Sequence, residues 1–311
     1  MPLGGPGFDT PLNPGGYVWW YLDATSDDGR HGLTLIAFIG SVFSPYYARA
    51  RRRGPADPAD HVALNCALYG TGPNRWTMTE RGRGALQRNA TRLQIGPSAL
   101  QWDRGVLEVT LDELAVPWPG RVRGRLRVEP STVIEGGPFT LDAAGAHRWQ
   151  PIAPRARVSL HLDAPALHWS GEGYLDTNWG DTPLEESFSR WHWSRCALPD
   201  GNSQVRYDVH RLDGSTMSLN MKVGRDGQLN HEPPGPTLAL PRTRWRLARE
   251  TRGEARLLQT WEDGPFYARS LLSVQHRGQA MRAVHESLSL DRFAAPWVQA
   301  LLPFRMPRRA G

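Results

Sequence analysis

Strict alternation of apolar and charged side chains is the feature that most limits what this chain can fold into. Within "GRVRGRLRVEP", residues 120–130, apolar residues alternate with four arginines, Arg121, Arg123, Arg125 and Arg127. A period of two places all four arginines on one face of a strand. The segment therefore predicts a β-strand with one solvated face.

Many other short runs have the same rhythm and end at turn-forming residues. "YVWWYLDAT" leads through "SDDG" into "LTLIAFIGSVF", which predicts a hairpin. Only "FAAPWVQALLPFRM", residues 293–306, has apolar residues at helical spacing, and Pro296 and Pro303 should limit its length. The chain has 311 residues, too many for one small barrel. We therefore expect an all-β protein of two packed antiparallel units with a short C-terminal helix.

Composition and charge exclude several classes of function. The chain is 40% apolar with a formal charge of +6, and its basic residues cluster at 49–53 and 305–309. Such clusters suit lipid headgroups or nucleic acid, and the absence of the usual nucleic-acid motifs favours lipid of these two. An ordinary solvated face is favoured over either. Two cysteines predict no disulfide framework. The N-terminal residues do not resemble a signal peptide, and "GLTLIAFIGSVFSPYYA" is more typical of a buried strand with a turn than of a membrane span.

The stretch "GYLDTNWGD", residues 173–181, has the strongest chemical signal. If it is a strand, Tyr174, Asp176 and Asn178 share one face. An aspartate buried among aromatic rings has a raised pKa, and keeping it protonated near pH 7 requires about three units, or about 4 kcal/mol. An enzyme that donates a proton to a weak base gains from that state. The alternative is that Asp176 lies in a turn or at an edge and binds backbone amides.

Tryptophans before and after this stretch are compatible with two uses of such an acid, which the spacing alone does not separate. Protonation of a carbon–carbon double bond produces a carbocation, and each aromatic face can stabilise a cation by about 0.5–2 kcal/mol. Glycoside hydrolysis is the competing interpretation, with Asp176 paired to Asp181 or Glu185. No phosphate-binding loop and no recognisable metal-ligand spacing is present, so we expect neither a cofactor nor a metal.

Two long segments resemble the carotenoid 1,2-hydratases (hydroxyneurosporene synthases) of photosynthetic bacteria. They are "GGYVWWYLDATSDDGRHGLTLIAFIGSVFSPYY" and "LHWSGEGYLDTNWGDTPLEESFSRWHWSR", and the resemblance extends over nearly the whole chain. It implies two lipocalin-like antiparallel β-barrel or sandwich domains, at 1–182 and 183–292, and a helical basic tail at 293–311. It also implies a cofactor-independent hydro-lyase that adds water to the terminal 1,2 double bond of acyclic carotenoids such as neurosporene and lycopene. The tertiary alcohol formed would enter spheroidene- or spirilloxanthin-type biosynthesis.

The resemblance also implies the site residues. The family's acid corresponds to Asp176, with Tyr174 beside it, and a His and Trp two residues apart correspond to His147 and Trp149. The local sequence of His147 alone is more typical of a surface or loop histidine. We expect the remaining substrate or cation contacts at Trp169, Trp179, Trp191 and His192. The proton of the attacking water would go to His147 or to deprotonated Asp176.

The substrate implied by the resemblance is dissolved in a bilayer. We therefore expect peripheral attachment to the cytoplasmic face of the inner, photosynthetic membrane, and association with other carotenoid-pathway enzymes. A non-catalytic lipocalin-like carrier of isoprenoids or carotenoids is the alternative function, and a carbohydrate-active enzyme is the third.

Overall fold

A computed structural model describes residues 5–70, 74–134 and 136–309. Nearly all of its regular structure is antiparallel β-sheet with a few short helices, which confirms the predicted all-β class. The chain divides into two compact units, Met1–Pro183 with Ala300–Gly311, and Leu184–Gln299. The domain boundaries at residues 182 and 292 stay predictions from the sequence, and residues 1–4, 310 and 311 lie outside the described residues.

The first unit contains twelve described strands, one complete α-helix and the last residues of another. The strands are β1 (Tyr17–Ser26), β2 (His31–Ile39), β3 (Val62–Gly70), β4 (Arg75–Arg81), β5 (Leu86–Arg88), β6 (Arg92–Ile95), β7 (Ser98–Asp103), β8 (Val106–Leu114), β9 (Arg121–Thr132), β10 (Phe139–Thr140), β11 (His147–Ala164) and β12 (Ala166–Gly180). The helix is α1 (Pro45–Arg51).

All twelve strands belong to one curled sheet. Their order is β4-β3-β2-β1-β12-β11-β9-β8-β7-β6-β5, and β10 pairs with β11. The sheet curls back on itself, because Thr77 of β4 forms an antiparallel bridge with Ala115, just after β8. In this strand order β1 and β12, which are far apart in the sequence, are hydrogen-bonded neighbours near the centre of the sheet.

The alternating arginine segment is β9, as predicted. Val122, Leu126 and Val128 are fully buried, whereas the four arginines are exposed. Arg127 forms ion pairs with Glu108 and Glu129. One face of this strand packs into the core and the other is solvated.

The uncharged run after β1 is a buried strand followed by a turn and a short helix that the sequence analysis did not predict. Ser44 accepts hydrogen bonds from the backbone N–H groups of Tyr46 and Tyr47, and Pro45 occupies the first turn. Ser-Pro is a favourable helix start, because serine satisfies free N–H groups and proline has none to satisfy.

No helix in the described part of the chain is long and apolar enough to cross a bilayer.

Strand β1 is buried on both faces. Val18, Trp20 and Leu22 belong to the apolar core of the first unit. The alternate residues Tyr21 and Asp23 point to the opposite side of the sheet and are only 6% and 0% exposed. This second buried face, which we call the polar-aromatic face, carries Tyr17, Trp19, Tyr21 and Asp23 of β1, His147 and Trp149 of β11, and Tyr174, Asp176 and Asn178 of β12.

The second unit has its own seven-stranded sheet and a separate two-stranded sheet. Its strands are β13 (Phe188–Ala197), β14 (Ser203–Arg211), β15 (Thr216–Val223), β16 (Leu229–His231), β17 (Thr237–Leu240), β18 (Arg249–Arg252), β19 (Ala255–Asp263), β20 (Tyr267–His276) and β21 (Gln279–Ser289). The larger sheet has the order β16-β15-β14-β13-β21-β20-β19, and β17 pairs with β18.

The predicted C-terminal helix is present in two pieces. They are α2 (Leu290–Phe293), which Ser289 caps, and α3 (Pro296–Arg305). Pro303 does not end α3, contrary to the expectation from the sequence. The basic residues of this region are partly engaged within the first unit, since the Arg305 guanidinium lies 4.3 Å from the Trp76 ring centroid and Arg308 forms an ion pair with Glu80.

Candidate active site

Asp176 lies in the middle of β12, between β1 and β11. It is opposite Tyr21 on one side and Pro151 on the other, and its exposed fraction is 4%. The interpretation of Asp176 as a turn or edge residue is therefore wrong. Tyr174 and Asn178 share its face, as the alternation predicted.

Two aromatic residues donate hydrogen bonds to one oxygen of Asp176. Trp149 Nε1 donates to Oδ2 at 2.8 Å, and Tyr174 OH donates to the same atom at 2.9 Å. Both donors are fully buried. The Phe139 ring lies 5.6 Å from that of Trp149, so the carboxyl group has aromatic walls.

His147 is also buried on this face, which corrects the expectation of a surface or loop histidine. Its Nδ1 lies 2.8 Å from Tyr17 OH and its Nε2 lies 3.1 Å from Thr182 Oγ1. Burial lowers the pKa of His147 to about 4, against the opposing charges of Asp142 and Asp181. The imidazole is therefore neutral at pH 7.

His147 and Trp149 differ in their relation to Asp176. Trp149 hydrogen-bonds the acid directly, whereas His147 is opposite Gly180, four residues further along β12. Four residues of strand span about 13 Å. Trp149 therefore contacts the candidate acid directly, whereas His147 lies further along the same face of the sheet.

Comparison with known proteins identifies the family of the chain. The profile of the carotenoid hydratase CrtC family matches residues 35–311. The chain belongs to this family. It is 54% identical to the acyclic carotenoid 1,2-hydratase of Thiocapsa roseopersicina, over 100% of this chain and 77% of that protein. It is 48% identical to the protein of the same name from Rubrivivax gelatinosus, over 99% of this chain and 77% of that protein.

A solved structure supports the fold independently. A protein assigned as AttH from Nitrosomonas europaea superimposes with a TM-score of 0.62 at 17% identity, and the match covers 87% of this chain and 91% of that one. Identity at this level bears on architecture alone. It supports the lipocalin-like fold that the resemblance implied.

Two tryptophans that we predicted as substrate contacts do not face Asp176. Trp169 and Trp179 pack against the apolar core of the first unit. Each is an odd number of residues from Asp176 along β12, so the alternation of the strand turns it to the opposite face. Proximity in the sequence was misleading here.

The other two predicted contacts belong to the second unit. Trp191 and His192 lie on β13, where the Trp191 ring makes edge contacts with Phe188 and Tyr207. His192 Nδ1 lies 2.9 Å from Ser287 Oγ. Their role toward a substrate stays a prediction from the sequence.

Two further residues of the polar-aromatic face, Tyr21 and Asp23, were missed by the sequence analysis. Tyr21 OH donates to Asp23 Oδ2 at 3.0 Å, just as Tyr174 does to Asp176. A signal was present, because Tyr-Leu-Asp occurs both at residues 21–23 and at 174–176. The repeat gains meaning only once β1 and β12 are known to be neighbours.

One group of potential metal ligands occurs among the described residues. Ligand atoms of His192, His210 and Glu250 in the second unit lie within 4.8 Å of one another. Burial lowers the pKa of His192 well below its usual range, and the charges of Arg190 and Arg252 lower it further. The same two guanidinium groups would repel a bound cation, so we assign no metal to this group.

Proposed function

We propose that this chain is a carotenoid 1,2-hydratase that adds water to the terminal 1,2 double bond of neurosporene or lycopene without a cofactor. Membership in the carotenoid hydratase family supports the reaction class. The observation that carries the proposal is the buried Asp176, whose Oδ2 accepts hydrogen bonds from Trp149 and Tyr174. A carrier that only binds a carotenoid would not need this acid.

The first step is proton transfer from Asp176 to carbon 2 of the alkene. Because Oδ2 already accepts two hydrogen bonds, we place the proton to be transferred on Oδ1. The O–H bond of the acid breaks as the C2–H bond forms, and positive charge develops at carbon 1, which carries more alkyl groups. General acid catalysis of this kind supplies about 10²–10⁴-fold in rate.

The aromatic walls act on the cation that this step produces. The rings of Trp149 and Tyr174 are held beside the acid by their hydrogen bonds to it. Facing a cation, each contributes about 0.5–2 kcal/mol. Water excluded from a buried site cannot screen that attraction.

The second step is attack of water at carbon 1 with loss of one proton from its oxygen, which gives a tertiary alcohol. Neutral His147 could accept a proton at pH 7, but Tyr17 and Thr182 lie within hydrogen-bonding distance of its two ring nitrogens. We therefore propose that His147 holds β1 and the segment after β12 in place rather than acting on the water.

A cofactor-free assay tests the function. Purified full-length protein is incubated with lycopene in detergent, and the extract is analysed for a product heavier by one water. We expect this product from the wild type and none from Asp176→Asn, which keeps the shape of the side chain. Lycopene that is bound but unchanged by the wild type would favour the carrier instead, and full activity in Asp176→Asn would refute the assigned acid.

We also propose peripheral contact with a membrane that contains the substrate. Trp118 is 82% exposed and Phe304 is 71% exposed, and large exposed aromatic side chains are typical of interfacial contacts. Arg52 and Arg53, after α1, are exposed as well and would attract anionic headgroups.

A further inference from the structure

The polar-aromatic face carries the Tyr-Leu-Asp sequence twice, on adjacent antiparallel strands. Antiparallel pairing sets Tyr21 opposite Asp176 and Asp23 opposite Tyr174. Each tyrosine therefore faces the other motif's aspartate. The Tyr21–Asp23 and Tyr174–Asp176 pairs therefore lie side by side on neighbouring strands and point in opposite directions.

The two motifs have nearly the same local geometry. In each, the tyrosine hydroxyl donates to Oδ2 of the aspartate two residues later, at 3.0 Å in β1 and 2.9 Å in β12. The rings of Tyr21 and Tyr174 meet edge to face with centroids 6.2 Å apart. Asp23 and Asp176 are 0% and 4% exposed.

The pairing register brings the two carboxyl groups into one cluster. Asp23 and Asp176 are diagonal neighbours across the ladder, and Cα atoms in such positions are about 7–8 Å apart. Asp23 lies on one edge of the cluster and Trp149, the second donor to Asp176, on the other. A terminal alkene that reaches Asp176 would therefore lie within reach of Asp23.

Alkene hydration needs two proton-transfer groups. One must donate a proton to carbon, and another must accept a proton from the attacking water. Paired carboxyl groups divide these roles in inverting glycoside hydrolases, where they are separated by room for a water. In the proposed mechanism Asp176 is the donor, and the acceptor is unassigned.

We propose that Asp23 is the catalytic base that accepts the proton of the attacking water, an assignment that rests on the proposed hydratase function. The water oxygen bonds to carbon 1 as one of its O–H bonds breaks, and that proton goes to the Asp23 carboxylate. Asp176, now ionised, recovers a proton from Asp23 as the product leaves. The sum is addition of one water, with nothing oxidised or reduced.

Tyr21 orients this base. Its hydroxyl donates a hydrogen bond to Oδ2 of Asp23, which holds the carboxylate in one orientation. Tyr174 has the equivalent relation to Asp176. The two tyrosines are positioning residues in this scheme, one for the base and one for the acid.

Heavy water separates the two roles. Full-length wild type, Asp23→Asn and Asp176→Asn are incubated with lycopene in detergent made up in D₂O, and both the alcohol and the recovered lycopene are analysed by mass. In Asp23→Asn we expect hydration to fall by about 10²-fold or more. Asp176 would still transfer a deuteron to carbon 2. If the carbocation then loses the original hydrogen of carbon 2 back to Asp176, the alkene forms again and the recovered lycopene carries deuterium. Asp176→Asn should give neither alcohol nor label.

Controls keep the result specific. Asp27→Asn makes the same change at an exposed acid that pairs with Arg157, and it should retain hydration. Circular dichroism and thermal unfolding check that each variant is folded. If Asp23→Asn does not fold, Tyr21→Phe applies the same test. It should slow hydration while deuterium continues to enter the recovered lycopene. Tyr174→Phe should instead lower both the hydration rate and the deuterium label.

Two results would overturn the assignment. The first is hydration by folded Asp23→Asn at the wild-type rate, and the second is loss of both alcohol and label in that variant. If the wild type gives neither alcohol nor label, the hydratase proposal itself fails, which is a different outcome from either.

Discussion

At the scale of single residues, the site depends on how the Asp176 carboxyl group is held. Trp149 and Tyr174 fix one oxygen, and they come from different strands. A buried hydrogen bond contributes about 0.5–1.5 kcal/mol, and more when one partner is charged. The two donors therefore determine the direction in which the other oxygen points.

Replacement of Trp149 by phenylalanine tests the hydrogen bond from Trp149 Nε1 to Asp176 Oδ2. The variant keeps an aromatic ring beside the acid but loses the N–H donor. We expect kcat for lycopene hydration to fall by about tenfold, which corresponds to about 1.4 kcal/mol, with a small change in KM. Trp102→Phe, in the apolar core, should leave kcat unchanged. An unaltered kcat in Trp149→Phe would show that its hydrogen bond has no part in the reaction.

The sequence predicted some of these residues and not others, for a definite reason. The shared face of Tyr174 and Asp176 follows from alternation within one strand. Asp23 and the burial of His147 depend on which strands are neighbours, and local pattern does not contain that information. The resemblance to a known family identified His147 and Trp149, where the local sequence alone suggested a surface histidine.

At the scale of elements, close contact between strands holds the two Tyr–Asp pairs in register. A Cβ added at Gly171 of β12 would lie 1.9 Å from the carbonyl oxygen of Thr25 in β1. The main chain cannot yield there without moving the ladder that pairs Tyr21 with Asp176. Glycine at this position therefore permits the close approach of β1 and β12.

Gly171→Ala should destabilise the protein by about 2 kcal/mol, because one of the two backbones must shift. Urea unfolding followed by tryptophan fluorescence measures the change. Gly84→Ala is a matched control, since a Cβ there has no neighbour within 4 Å and should cost little. Equal stability of the two variants would contradict the tight approach of the strands.

Strands and helices differed in how well the sequence predicted them. Alternation and turn residues identify the strands, since each pattern is local. Helix α1 was missed although Ser44 and Pro45 form a recognisable start, because the apolar run around it reads as strand. Sheet order stays beyond such patterns, as β1 and β12 are more than a hundred residues apart in the chain.

At the scale of the whole molecule, buried histidines link stability to pH. Burial lowers the pKa of both His147 and His285 to about 4, while in the unfolded chain the value is about 6.5. Between these values the unfolded state binds protons and the folded state does not. Stability must therefore fall as the pH drops from about 7 to about 4.

Each of these histidines should remove up to about 3 kcal/mol over that range. Urea titrations at several pH values between 7.5 and 4.5 measure the loss. His285→Gln should flatten the dependence if it folds, whereas His161→Gln, which changes an exposed side chain, should not. A free energy of unfolding that stays constant or rises toward pH 4.5 would contradict the burial of these groups.

Membrane contact gives a second prediction at this scale. Phe304→Ser removes an exposed ring from α3, and it should reduce co-flotation of the full chain with anionic vesicles by severalfold. Leu258→Ser changes another exposed apolar residue, on β19, and serves as the control. Equal flotation of Phe304→Ser and the wild type would exclude this ring from the contact.

The separation of the polar-aromatic face from the apolar core has a consequence for how such a protein can change. Leu175 and Asp176 are consecutive, yet Leu175 packs in the apolar core and Asp176, the proposed acid, lies on the other face. We therefore expect that substitutions in the apolar core leave the proposed site without direct change. Libraries aimed at new alkenes can be confined to the polar-aromatic face of β1, β11 and β12. Variants of the two faces can therefore be compared within a single sheet.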